Sequence, residues 1–211
     1  MTNPNLTHIE FILDRSGSMS SIKEDIEGGF NTFITDQQSQ PGQCTVSLAQ
    51  FDDVYEPVFT AIEIKDVHKL KLQPRGSTSL LDAVGRSITL LGERLAAMPE
   101  DERPHRVIVA IMTDGMENSS KEYTHAVIKQ MIIQQEKVFS WEFLYMGADQ
   151  DAIEVGASIG IRADRSLTYH RGRAQEAYAA SSRLTSALRS APAGMNVDGL
   201  GFEEQDRMAT R

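Results

Sequence analysis

The chain has 211 residues, 40% of them hydrophobic, which suits one sizeable core better than two domains. A formal net charge of −9 repels nucleic acid and anionic lipid and argues against both as partners. No stretch approaches the roughly 20 apolar residues of a membrane span, the N-terminal segment lacks the features of a secretory signal, and the lone Cys44 excludes an intrachain disulfide or a cysteine metal cluster. The expectation is a cytoplasmic protein.

Short apolar runs alternate with helical patterns, the signature of an α/β fold with a mainly parallel sheet. His8–Leu13 reads as a buried strand. Ile22, Ile26, Phe30, Phe33 and Ile34 recur at helical spacing over about Ser21–Gln38, and Pro41-Gly42 breaks the helix. Thr45–Phe51 and Val54–Ile64, joined by Asp52-Asp53, predict a hairpin, and Pro57 places the second run at the sheet edge. Lys65–Leu72 holds at most one helical turn, and Gln73–Thr78 is a loop. Leu80, Leu81, Val84, Ile88, Leu91 and Leu95 mark a helix over about Ser79–Met98, with a charged connector at Pro99–Pro104.

Arg106–Met112 is the most strand-like segment and ends at Thr113-Asp114-Gly115. Ser119 or Ser120 is expected to cap a helix running to about Glu136. Val138–Met146 reads as a strand, with Phe139, Trp141, Phe143 and Tyr145 on one face. A helix over about Gln150–Ile159 and a short strand at Ala163–Thr168 follow. Gly172–Ala191 is expected to be a surface helix, since Tyr178, Leu184 and Leu188 are sparse for a core. Its neighbouring Arg171, Arg173, Arg183 and Arg189 read as a solvated face. The domain is placed at residues 1–169, the C-terminal helix at 170–191, and a flexible tail at 192–211.

Three oxygen-bearing loops fall on one edge of this sheet: Asp14, Ser16 and Ser18 after the first strand, Thr78 before a helix, and Asp114 after the central strand. In open α/β sheets, ligands bind outside the carboxyl ends of strands. Two alternate hydroxyls beside one carboxylate are expected to exclude a soft-metal or zinc site and to suit a small hard cation such as Mg²⁺. Taken singly, each pattern is as readily a turn or a helix cap.

Together, Asp-x-Ser-x-Ser after a buried strand, a Gly-x-Thr loop and Thr-Asp-Gly after a second strand resemble a von Willebrand factor type A domain over about residues 6–165. The resemblance implies a doubly wound, six-stranded sheet of order 3-2-1-4-5-6 with an antiparallel third strand. It also implies a metal-ion-dependent adhesion site at Asp14, Ser16, Ser18, Thr78 and Asp114. That site would take Mg²⁺, with Mn²⁺ or Ca²⁺ as alternatives, and keep a position for an Asp or Glu of a partner protein. Bacterial and phage relatives of this type are often linked to MoxR-type AAA+ ATPases or to tellurium-resistance and stress systems, which gives a class of partner.

Asp82 reads as support for the threonine loop; Glu117 and Asn118 as exposed loop polarity; Asp149 and Asp151 as residues that begin a helix. The five dispersed histidines, His8 among them, read as surface residues. Two other functions stand beside the interaction module. One is a metal-assisted hydrolase or phosphotransferase using Asp14, although no P-loop, Gly-x-Ser-x-Gly elbow or second aspartate of an aspartyl-phosphatase pattern accompanies it. The other is a metal-independent scaffold that binds through its C-terminal helix and tail.

Overall fold

Twelve residues of extended chain, Asn3–Asp14, form the central strand β1 of the computed structural model, which describes residues 1–211. From Thr7 onward β1 is buried on both faces, so it needs cover on both sides. β2 (Gln43–Phe51) lies parallel to it on one side, with Ile9 opposite Val46. β4 (Pro104–Thr113) lies parallel on the other, with Ile9 opposite Ile108. β3 (Tyr55–Glu63) returns antiparallel along β2, and β5 (Glu142–Ala148) and β6 (Ser166–Tyr169) extend the other flank in parallel. The order β3-β2-β1-β4-β5-β6 is the one expected, and Pro57 sits on the edge strand.

The pleat divides the strand residues between two cores. Ile9, Phe11 and Leu13 face α1 (Lys23–Gln38) and α5 (Ala174–Ser190). Ile12, Val109 and Ile111 face α2 (Leu80–Ala97), α3 (His125–Phe139) and α4 (Ala152–Ser158). No helix is long and apolar enough to cross a membrane.

Several expectations change. The α5 helix is no surface helix: Ala174, Ala177, Tyr178, Ala180, Ser181 and Leu188 are buried against α1 and the sheet. Its small residues permit a close approach, and Tyr178 fills the gap beside Phe30 at 6.3 Å. A Cβ on Gly29 of α1 would stand 2.3 Å from the Tyr178 ring, so that glycine is what admits it. The segment after Pro192 is not a loose tail but packs back on the fold. Val197 and Phe202 are buried, and α6 (Glu204–Ala209) closes with Thr210 donating to the Thr168 carbonyl at 2.9 Å.

Thr124, not Ser119 or Ser120, caps α3, accepting from the Val127 N–H at 3.4 Å. That helix continues to Phe139, where Ser140 at φ +56° ends it, so β5 starts at Glu142 and Phe139 is exposed. Residues Ala163–Arg165 form a 3₁₀ turn before β6. His8 is 2% exposed: it shares a buried face of β1 with Glu10. Of the C-terminal arginines, Arg189 is buried and donates to the Gln37 carbonyl and side-chain oxygens, and Arg183 pairs with Asp206.

Candidate metal centre at the strand ends

β1 and β4 are the neighbours between which the direction of strand addition reverses, and their carboxyl ends define a crevice. The Asp14 carboxylate is buried there. Its Oδ1 accepts from the Ser16 N–H at 2.6 Å and its Oδ2 from the Thr113 hydroxyl at 2.5 Å. Burial pushes this carboxyl up to about 6, with the bonds from Thr113 and Ser16 opposing the shift. Ser16 and Ser18 hold their hydroxyls 3.0 Å apart, and Ser18 donates to Asp114 Oδ1 at 2.6 Å. Burial raises Asp114 as well, against the pull of Ser18 and Arg171.

Thr78 meets this group through Gly115. A Cβ on that glycine would stand 2.6 Å from Thr78 Oγ1 and 3.4 Å from Asp14 Oδ2. Gly115 of the third loop therefore leaves open the space in which the second loop's hydroxyl nears the Asp14 carboxylate. Ser18 and Met116 are exposed beside it, so the group faces solvent on that side.

Backbone and side-chain clamps fix the loops. The Arg15 guanidinium, buried within the first loop, donates to Asp52 at 2.9 Å and to Glu56 at 2.6 Å, and Arg75 donates to the same Asp52 oxygen at 2.8 Å. Burial alone would raise the Asp52 pKa, but bonds from Arg75, the Val54 N–H and Arg15 hold it below the usual value. Gly17 N–H donates to the Gly76 carbonyl at 3.2 Å, and position 76 takes glycine because φ there is +68° and a Cβ would run into Asp53. Asn118 and Thr78 exchange hydrogen bonds, each at 3.1 Å. Glu117 accepts from Leu81, Ser119 and Ser120 N–H groups. Asp82 accepts from three consecutive N–H groups at Lys121, Glu122 and Tyr123, which organises the third loop. Glu117 and Asn118 are thus loop supports rather than free polar groups.

Arg171, expected on a solvated face, instead reaches into the site. Its Nη2 donates to Asp114 Oδ2 at 2.8 Å, Nη1 to Ser21 at 3.2 Å, and Nε lies 3.1 Å from an Asp149 oxygen. Asp149, at φ +49°, accepts from the Arg171 N–H, whereas Asp151 caps α4. The signal that could have pointed to Arg171 is its place just after β6, at the same sheet edge as the other loops, next to Gly172 at φ +83°.

No protein-family profile matches the chain, and no curated protein matches it. Solved structures do. Proximal thread matrix protein 1 from the mussel byssus superposes with a TM-score of 0.62 at 14% identity, over 86% of this chain and 46% of that one. The same protein with a zinc-occupied MIDAS motif gives 0.60 at 16% identity, over 85% and 46%. The vWF domain of the type V pilus tip protein Mfa5 from Porphyromonas gingivalis gives 0.61 at 9% identity, over 91% of this chain and 98% of that one. The chain spans less than half of the mussel protein, and what it shares with these structures is the fold of a von Willebrand factor type A domain.

Proposed function

We propose that the chain is a non-enzymatic protein-interaction module that holds a divalent cation, Mg²⁺ foremost, on Asp14, Ser16, Ser18, Thr78 and Asp114. One observation carries this reading: two buried carboxylates and three hydroxyls, drawn from three loops, gather at one sheet edge, where Gly115 leaves Thr78 Oγ1 and Asp14 Oδ2 room to approach. The donor set fits such a group. Hard oxygens suit Mg²⁺, and two carboxylates whose charged forms are disfavoured by burial lose that penalty beside a cation. When bound, the cation supplies residual positive charge at an exposed rim, where an Asp or Glu of a partner protein can add its carboxylate.

The remaining work belongs to the chain. Arg15, Asp52 and Arg75 lock the first loop to the second, so the hydroxyls need no reorganisation. Met116, exposed beside Asp114, offers an adaptable apolar contact to the same partner. The hydrolase alternative needs Asp14 open to a substrate, yet its side chain is buried. The scaffold alternative needs open faces on α5 and the tail, yet the apolar side of α5 packs on the core and Val197 and Phe202 of the tail are buried. The link to MoxR-type ATPases or stress systems rests on the resemblance alone. The zinc-occupied motif of the mussel protein adds Zn²⁺ to the metals worth trying with this chain, narrowing the expectation that a hydroxyl-rich set excludes it.

Calorimetric titration of Mg²⁺, Mn²⁺, Ca²⁺ and Zn²⁺ into chelator-treated protein should give saturable binding in wild type and none in Asp14→Ala. Partner capture from the native host should disappear in chelator. Failure of every metal to bind wild type, or capture indifferent to chelator, overturns the reading.

A further inference from the structure

Arg171 lies outside the expected donor set yet makes the closest charged contact to it. Its guanidinium occupies Asp114 Oδ2, while Ser18 occupies Oδ1, so both oxygens of that carboxylate are engaged. The Asp114 side chain is fully buried, whereas Arg171 is about one-third exposed and reaches in from the turn between β6 and α5. Its other two contacts, Ser21 and Asp149, lie on different loops, and Ser21 and Asp149 are themselves partly open to solvent or exposed. The arginine is therefore anchored at the rim, where a side chain can swing out without disturbing the core.

We infer that Arg171 is a built-in counter-cation that competes with the divalent metal for Asp114 and sets the metal concentration at which the module becomes competent. This rests on the metal reading of the site and names its regulation. Two physical terms act in the same direction. A guanidinium hydrogen-bonded to a carboxylate must surrender that charge-assisted bond before the oxygen can serve a metal or its water. A unit positive charge a few ångströms from a dication also opposes it, and at a partly buried site the repulsion is worth roughly tenfold or more in affinity. Asp149 gives the released guanidinium a place to stay, 3.1 Å from its Nε, so displacement leaves no unpaired charge.

The test is Mg²⁺ titration of the full chain, stripped with chelator, for wild type, Arg171→Ala and Arg171→Lys, with thermal melting in chelator to establish that each is folded. Arg171→Ala is expected to bind Mg²⁺ about tenfold tighter. Arg171→Lys keeps the charge and should stay near wild type. If Arg171→Ala does not melt cooperatively, Arg171→Gln takes its place. Should wild type bind while Arg171→Ala binds equally or more weakly, the competition is refuted and the metal site stands. Equal tightening in both variants refutes it too, since loop loosening would then be the cause. No Mg²⁺ uptake by any of the three overturns Mg²⁺ as the cation and this inference with it.

Discussion

Two groups of buried polar side chains lie along β1, about two turns of pleat apart, and they are satisfied in different ways. In the first, His8 Nε2 accepts from Arg94 Nη2 at 2.8 Å and Nδ1 pairs with Thr45 at 2.8 Å, while Glu10 accepts from Ser87 at 3.0 Å and lies 3.8 Å from Arg94. Ser47 completes the group, donating and accepting among His8, Arg94 and the Ala61 N–H. Acid, base and hydroxyls all come from within the fold. In the second, at Asp14, the only nearby cation is Arg171, shared with Asp149, and burial drives both Asp14 and Asp114 toward their neutral forms. A buried polar group complete in itself holds a structure together; one whose carboxylates remain under-compensated points to a ligand.

The comparison is broken most forcefully by removing a charge from the first group. Arg94→Ala leaves the buried Glu10 carboxylate without its cation and should cost about 3 kcal/mol in urea unfolding, equally with and without Mg²⁺. A loss below about 1 kcal/mol, or one that Mg²⁺ repairs, would mean the group is not the closed structural unit described.

The second group predicts the opposite sign. Asp14→Asn keeps the shape and the acceptor for the Ser16 N–H, makes the Thr113 hydroxyl turn to accept from the amide, and removes a charge that burial disfavours. In chelator near neutral pH the variant should be as stable as wild type or more so, by up to about 2 kcal/mol. Its response to Mg²⁺ should vanish, whereas wild type, on the proposed metal reading, should gain stability on adding the cation. A variant less stable than wild type in chelator would assign Asp14 a purely structural role.

Much of the fold was legible because its strands are apolar runs bounded by acids, glycines and prolines, and because Pro57 marked the edge. What escaped notice depends on shape rather than pattern. The α5 helix looked too poor in large apolar residues for a core, but its interface is built from Ala174, Ala177, Ser181 and Thr185 around one Tyr178, received by Gly29. Close approach substitutes for bulk there. His8 and Glu10 were legible in retrospect: they share the parity of Ile12 on a central strand, and two ionisable residues on one buried face need each other and a third partner. The end of α3 was lost because Val138 and Phe139 look like strand residues and only the left-handed Ser140 terminates the helix. The position of Arg171 just after β6 puts it at the right sheet edge, but nothing in the sequence says that its guanidinium reaches Asp114 rather than solvent. The Tyr178 hydroxyl, buried without a partner, offers a modest check on α5. Tyr178→Phe should be neutral or stabilising by less than about 1 kcal/mol, and a larger loss would reveal a bond the packing hides.

The smallest net effect is in pH, because the two groups pull against each other. Burial lowers the His8 pKa from its ordinary 6.5, so the unfolded chain takes up a proton that the folded chain refuses. Stability from His8 is thus fully present above about pH 6.5 and is lost on acidification. Asp14 runs the other way: its folded value near 6 exceeds the unfolded 3.8, so the folded chain binds the extra proton in that interval and gains stability as pH falls through it. Urea melts of wild type in chelator between about pH 7 and pH 4 should therefore give a slope between those of variants that remove one group or the other. Asp14→Asn should lose stability more steeply on acidification, and His8→Gln should lose it less or gain it. Mg²⁺ adds a third sign, since it favours the charged Asp14 carboxylate and its uptake should weaken as pH falls through about 6. Parallel slopes in the two variants would show that the groups titrate as one, and the separation of a closed structural cluster from a ligand-seeking one would fail.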